Sequence, residues 1–445
     1  MTKAAFDGVG RSVFHVAVIG SGPSGFYTAE ALLRAGMSVA VDMFERLPVP
    51  YGLVRFGVAP DHPKLKQVTV AFDRIARMPG FRFFGGVAVG RDVAIDELRD
   101  SYDAVVLATG AELSRSLGIP GEALPGCHHA GDFVAWYNGH PDFRDCHFDL
   151  AHEAATIVGH GNVALDVARI LCKTADELRR TDISGHALEV LAESRIREVH
   201  VVGRGRPSQT RFSAKELRDF LELEECEASV DGRDVTSDDF VAANAQDLEM
   251  TEKLALLGDF SRHASSKRRR CVFRFGLSPL AIEGEAGVQA VAFARPVPNS
   301  IETIASGLCF RSVGRRTAPL AGVPYDALRG VHANIDGRVA IGLPAVGGLY
   351  ASGWSKRGPS GTIGTNRGCA IATAESVLAD LAAQAGQRTA DVEQLLERLR
   401  RRVGRIVSYA DWAKIDAAEQ SRGAPQGKPR EKFVRISEML AAVDG

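Results

Sequence analysis

The chain has 445 residues, 54 Lys and Arg against 55 Asp and Glu, a net charge of −1, and 45% hydrophobic and 24% charged residues. That length suggests about two or three domains; the composition excludes a disordered or fibrous chain, and near-neutrality argues against a nucleic-acid binder. No apolar run approaches the ~18–20 residues of a membrane helix, so no membrane insertion is expected.

The first apolar run, Val13–Ile19, is β-branched, as in a strand buried on both faces of a parallel sheet. It enters Gly20-Ser21-Gly22-Pro23-Ser24-Gly25, then a helical stretch to Ala35; a second strand, Ser38–Phe44, ends in Glu45. This is a dinucleotide pattern. Gly20 allows the tight turn, Gly22 lets backbone approach a pyrophosphate, and Gly25 allows close helix–strand packing. The helix N-terminus supplies amide donors, Ser24 a hydroxyl, and Glu45 a carboxylate for the ribose hydroxyls of an adenosine. A tight turn without a ligand is the plain alternative.

Residues 52–64 follow, a Gly- and Pro-bearing loop with Asp61, His62 and Lys64. Such a loop suits a redox centre that needs a proton relay; a hydrogen-bonded loop histidine is the alternative reading. A further buried strand, Tyr102–Leu107, precedes Gly118–Gly126, which reads as a crossing between domains. A second strand–glycine–helix unit then appears: Ala155–Val158, the turn Gly159-His160-Gly161-Asn162-Val163-Ala164, and a helix to about Leu171. The next strand, Val199–Val202, ends in Gly203-Arg204-Gly205-Arg206 where the first unit has an acid. Guanidinium groups there suit a 2′-phosphate, so this unit favours NADP over NAD, unless the arginines only form surface ion pairs.

An acid-rich stretch, 222–252, precedes a basic one, 261–274. Near the C-terminus, 347–364 is dense in glycine; Gly361, Thr362 and Ile363 could present amides to a flavin and Trp354 could stack at its edge, or be a core tryptophan. A basic helix, Leu395–Arg405, leads to a polar stretch, Ser421–Arg430, that reads as a surface tail. The seven cysteines are scattered, with no Cys-x-x-Cys and no iron–sulfur or zinc spacing, so no metal is expected and redox chemistry falls to an organic cofactor.

Residues 52–64, 161–169 and 353–365, with Trp136-Tyr137-Asn138 and the region from Asp411-Trp412 to Lys428-Pro429-Arg430, resemble the adrenodoxin-reductase type of ferredoxin–NADP reductase. The resemblance implies an α/β, glutathione-reductase-like fold of two Rossmann-like, doubly wound, three-layer domains. One (1–114 and 305–445) would bind FAD; the other, inserted at 115–304, NADP. It implies that Ser24, Glu45, Leu53, Ala88 (through its backbone), Trp354 and Gly361–Ile363 contact FAD. It likewise implies that Arg115, Asn162, Val163, Ala164, Leu165, the arginines near 204 (Arg204-Gly205-Arg206), Glu216 and Gly361 contact NADP. His62 and Asp219 would form a proton-handling pair.

The chain departs from the family at two points. Its second arginine is displaced by one position to Arg206, and Asp219 stands for a Glu, which predicts a weaker relay or one bridged by an additional water. The expected activity is hydride transfer from NADPH to FAD and single-electron delivery to a ferredoxin-type iron–sulfur protein, with a cytochrome P450 among the downstream acceptors. Arg211, Arg262, Lys267, Arg268, Arg269, Arg270 and Arg274 are candidates for docking an acidic ferredoxin, against the alternative of a solvated run. A direct reductase of a small quinone and a non-catalytic redox sensor are the other readings. The short Met1–Ser12 segment favours the bacterial cytoplasm over a mitochondrial transit peptide, and a monomer is expected.

Overall fold

In the strand Phe14–Ile19, Val16 and Val18 face one apolar cluster while Ala17 and Ile19 face another. A strand apolar on both sides has to sit inside a covered sheet. In the computed structural model, which describes residues 13–241, 246–262, 267–295, 299–340, 348–383 and 391–444, it is interior to a seven-stranded sheet. The spatial order is 334–335, 338–339, 349–351, 104–107, 14–19, 39–45 and 81–85; the last five strands are parallel. Helices Pro23–Leu33 and Thr365–Ala383 cover one face, and Ile95–Ser101 and Val392–Arg402 the other. The chain order reverses between strands 104–107 and 14–19, and a parallel sheet binds its ligand beyond the carboxyl ends of the strands at such a point.

The second sheet is wholly parallel, in the order 127–129, 308–311, 154–158, 198–202, 269–274 and 226–230. Helices Ala130–Tyr137 and Asn162–Cys172 pack on one face through Phe133, Trp136, Leu165 and Ala168. The other face is covered by a three-stranded antiparallel sheet, 278–283, 290–295 and 300–305, through Ile282, Val291 and Phe293. Both units therefore have three layers, the second with a sheet where helices would be expected.

Two expectations are corrected. Leu308–Arg311 pairs inside the second sheet, so the chain returns to the first sheet after Arg311 and not at 305. On the way Arg315–Arg316 pairs with Leu113–Ser114, so the outgoing and returning segments run side by side. The polar stretch 421–430 lies at the surface, as expected, with only Gly423 and Lys428 buried, but it is not a tail. It ends the helix Tyr409–Gly423 and leads on to the helix Ile436–Asp444, and Trp412, Ile415, Met439 and Val443 of these two helices enter the core of the first sheet. Lys428 and Lys432 are buried: Lys428 Nζ donates to the Ile183 carbonyl at 2.6 Å and Lys432 Nζ pairs with Asp182 at 2.9 Å. Those acceptors offset the desolvation that would otherwise keep an ammonium at the surface. Gly347, at the start of the C-terminal glycine stretch, and Met1–Ser12, on which the compartment expectation rests, lie outside the described residues.

Candidate active site

The glycines of the first turn divide by what surrounds them. A Cβ on Gly20 (φ +101°) would lie 2.5 Å from the Ala108 carbonyl oxygen, and one on Gly25 2.1 Å from that of Gly20. These two are required by the protein's own packing. A Cβ on Gly22 would meet nothing within 4 Å: the backbone there is open, as an approaching pyrophosphate needs. Glu45 ends its strand with Oε2 accepting from Ser21 N (3.2 Å) and Ser21 Oγ (2.6 Å), and Oε1 from Leu47 N (3.1 Å). Those bonds fix the carboxylate and leave it further lone pairs for a ribose.

Other segments converge on this turn. Tyr51 N donates to the Ser21 carbonyl at 3.0 Å, and Gly52 (φ +48°) lies against Gly22, placing Leu53 at the start of a single helical turn. Gly353 (φ +64°) packs on Ser24, where a Cβ would fall 2.5 Å from Ser24 Cβ. Trp354 follows, half-buried, its indole N–H held by the Ser360 carbonyl at 3.1 Å; Gly361, Thr362 and Ile363 come just before the helix Thr365–Ala383. The C-terminal glycine segment is thereby brought to the first turn, and this donor set fits a flavin dinucleotide. Two residues are engaged differently from expectation. Ser24 Oγ donates to Ser352 Oγ at 2.7 Å, so what it has to offer a ligand is its first-turn backbone N–H. Ala88 N donates to Asp92 Oδ2 at 2.8 Å and its carbonyl accepts from Arg91 and Asp92, so its backbone serves its own turn.

The second turn repeats the division. Gly159 (φ +137°) packs on the Ser312 carbonyl, whereas Gly161 is open. Asn162 Oδ1 accepts from Ser213 N at 3.0 Å, Val163 is 43% exposed, and Ala164 and Leu165 are fully buried with their N–H groups directed to the Gly161 carbonyl. The free donors at this end are thus the amides of 162 and 163. Arg204 is exposed and without a partner among the described residues. Arg206 is not free: it forks onto Asp239, with Nε–Oδ1 at 2.7 Å, and donates to the Asp234 carbonyl at 3.1 Å. Gly205 links this loop to Gly276 N at 3.1 Å. Arg115 braces the returning segment through the carbonyls of Arg315 and Arg329, at 3.3 and 3.0 Å. The open turn, free amides and Arg204 fit a phosphorylated dinucleotide.

Between the turns lies a charged cluster. His62 Nε2 is 3.0 Å from Asp219 Oδ2 and 4.0 Å from Glu216 Oε2. The contact with Asp219 is direct, where the shorter side chain predicted a weaker or water-bridged one. Beneath it Arg169, 1% exposed, forks onto Asp61 (2.7 and 3.1 Å) and reaches Asp166 (2.7 Å) and Glu216 (3.3 Å). Arg169 lies on the helix that begins at the second glycine turn, and Asp61 and His62 on the loop that packs on the first. Burial opposes the charge on His62, but the Asp219 hydrogen bond and the nearby carboxylates outweigh it and raise its pKa. Burial likewise opposes ionised Asp61, and Arg169 reverses it and lowers that pKa. Asp166 and Glu216 are raised, chiefly by burial. The sequence signal for Arg169 and Asp166, not singled out above, was a charged pair three residues apart in an otherwise apolar helix.

The proposed basic docking run disperses. Arg274 is 2% exposed and held by Asp234 at 2.7 Å, Lys267 and Arg269 cap carbonyls, Arg270 pairs with Glu198 at 2.8 Å, and Arg262 with Asp259. Of that set, Arg211, Lys267 and Arg268 are exposed without an ion-pair partner among the described residues, and Lys267 is tied to the Leu223 carbonyl.

Residues 14–231 match the family described as pyridine nucleotide-disulphide oxidoreductase. The chain is 41% identical to NADPH-ferredoxin reductase FprA of Mycobacterium tuberculosis, over 96% of this chain and 98% of that one. It is 42% identical to the human mitochondrial NADPH:adrenodoxin oxidoreductase, over 96% and 91%. The chain belongs to the NADPH–ferredoxin and NADPH:adrenodoxin reductase family. The structure of M. tuberculosis FprA in complex with NADPH superimposes with a TM-score of 0.91 at 39% identity, covering 98% of this chain and all of that one. The family's proteins are oxidoreductases that use FAD and NADP(H), which agrees with two open glycine turns of different charge.

Proposed function

We propose that this chain is an FAD-dependent NADPH–ferredoxin oxidoreductase. The carrying observation is that the loop packed on the first glycine turn delivers Asp61 and His62 onto Arg169 and Asp219 of the unit that carries the second turn. Bound FAD supplies the step the side chains cannot, accepting hydride from NADPH and passing electrons singly to an iron–sulfur protein.

The residues of the chain have separate tasks. Gly20, Gly22 and Gly25, the helix amides, Glu45, Leu53 and Trp354 with Gly361–Ile363 hold FAD, on residues 13–114 together with the segment after Arg311. The open backbone at Gly161, the amides of Asn162 and Val163, and Arg204 hold NADPH. Arg169 neutralises Asp61 and orients the loop, so that His62 is presented to Asp219 with its proton held between them. The pair takes no nucleophilic part; it moves a proton and positions the nicotinamide end of the substrate. A ferredoxin-type protein is the partner; a cytochrome P450 downstream, a monomeric enzyme and a bacterial cytoplasmic setting complete the proposal. Among the described residues no helix is long and apolar enough to cross a membrane.

The test is NADPH-driven cytochrome c reduction with and without an added ferredoxin. Strong dependence on the ferredoxin is expected. NADPH consumption with a small quinone that ferredoxin does not stimulate would replace this reading with a direct quinone reductase.

A further inference from the structure

Cys127 and Cys309 occupy one rung of the second sheet. Cys127–His129 is the edge strand and pairs in parallel with Leu308–Arg311, setting Cys127 opposite Cys309 and His129 opposite Arg311. Residues opposite each other in adjacent strands point to the same face, and both cysteines pack in the apolar cluster containing Val158, Val202 and Val288. Strands ~4.8 Å apart fall inside the ~4.4–6.8 Å range of Cα separations that a disulfide bridges. Both are free thiols, within hydrogen-bonding reach of one another.

The rung two residues on, along the same face, adds a cation. Arg311 reaches His129 Nε2 at 3.1 Å and Glu122 Oε1 at 2.7 Å, and its guanidinium also faces Cys127. The hydrogen bond from Cys309 and this positive charge hold the Cys127 thiol below its ordinary range, while the buried Cys309 is pushed up. Cys127 is partly exposed on the edge strand; Cys309 is fully buried beneath it. An accessible, thiolate-prone cysteine backed by a buried thiol is how a reactive cysteine and its resolving partner are arranged.

We propose that Cys127 and Cys309 are a peroxide-oxidised pair, with Cys127 the thiol that attacks peroxide and Cys309 the resolving one. The Cys127 thiolate attacks hydrogen peroxide; an S–O bond forms, the O–O bond breaks, and the departing hydroxide takes up the thiol proton as water. Cys309 sulfur then attacks the sulfenic sulfur; the S–S bond forms, the S–O bond breaks, and a second water leaves with the Cys309 proton. Two thiols lose two electrons, and one peroxide is reduced to two waters. The bond closes a ring over residues 127–309, between the end of the outgoing crossing, where the Gly126 carbonyl already accepts from Cys309 N at 2.9 Å, and the start of the returning one. Oxidation therefore staples the second sheet at the base of both crossings. Cys146 and Cys369, also partly exposed, have no such register partner and serve as internal controls.

The test treats the holoenzyme with a small excess of hydrogen peroxide, quenches with catalase, alkylates, and maps peptides. The expected result is loss of two of the seven thiols and a single 127–309 cross-linked peptide, abolished by dithiothreitol. Cys309→Ser should instead accumulate sulfenic acid at Cys127, trapped by dimedone, and Cys127→Ser should keep its Cys309 thiol reduced. Oxidation falling on Cys146 and Cys369, or a Cys127 that survives peroxide unchanged in the wild-type protein, would overturn the proposal, and the wild-type map needs no variant to fold.

Discussion

Arg206 was legible in the sequence as a phosphate-binding arginine, and the structure gives it a different occupation. A fork onto Asp239 uses two of its donors, and Asp239 lies 33 residues away, where no local pattern reveals it. Arg204 carries no such engagement. Hydrogen bonds to a charged group contribute about 1.5–3 kcal/mol. Arg204→Ala should therefore raise the KM for NADPH by roughly 10- to 100-fold with little change for NADH, and Arg206→Ala should cost clearly less; steady-state kinetics with both nucleotides compares them.

His62 allows a signed prediction. Its pKa in the folded protein is raised above 6.5, so the charged pair with Asp219 is fully formed below pH 6.5 and lost as pH rises through the raised value. The rate of flavin reduction by NADPH should show a break above pH 6.5. Asp219→Asn, by removing the partner that raises His62, should move the break down. His62→Gln should abolish it and slow the step by about 100-fold, the lower end of general acid–base contributions. A profile identical in all three proteins would remove the pair from proton handling.

Among elements, the two strand–turn–helix units were readable because a buried parallel strand needs an unbroken apolar run and the turn after it needs glycines. Glu45 was correctly expected at the end of the second strand. Sheet order was not readable: that Leu349–Ala351 pairs beside Ala104–Leu107, or that Leu308–Arg311 inserts between 127–129 and 154–158, depends on partners more than 150 residues away. The glycines make a test at this scale. At Gly161 a Cβ meets nothing within 4 Å and φ is −111°, so Gly161→Ala should leave thermal stability unchanged while weakening NADPH binding. At Gly25 the Cβ would collide with backbone, so Gly25→Ala should lower the melting temperature or prevent folding. Thermal melts beside NADPH titrations distinguish the two cases, and a Gly161→Ala protein with unaltered NADPH affinity would contradict the assignment of that turn.

Across the whole molecule, buried ion pairs tie the segments together. Asp182 of the second unit accepts Lys66, which follows the 52–64 loop, at 2.6 Å, and Lys432 of the C-terminal segment at 2.9 Å. Arg55 of that loop pairs with Glu419 at 2.5 Å with both side chains buried. Sequence composition read the exposure of 421–430 correctly and missed the anchoring of Lys428 and Lys432, because their buried acceptors, Ile183 and Asp182, are some 245 residues away. Breaking a buried pair from one side costs about 3–5 kcal/mol, so Asp182→Ala should lose that much stability in denaturant unfolding. Asp61, with its pKa lowered below 3.8, contributes stability that is present above pH 3.8 and lost as pH falls through the lowered value, so the Asp61–Arg169 link between the two units should weaken only in strong acid.

The central claim is an FAD enzyme reduced by NADPH through a 2′-phosphate site at Arg204. Anaerobic titration of the purified protein with NADPH, and separately with NADH, following the flavin absorption bands, tests it most directly. Bleaching by NADPH at far lower concentration than by NADH is the predicted result. A protein that shows no flavin band after incubation with FAD, or that responds equally to both nucleotides, would contradict it.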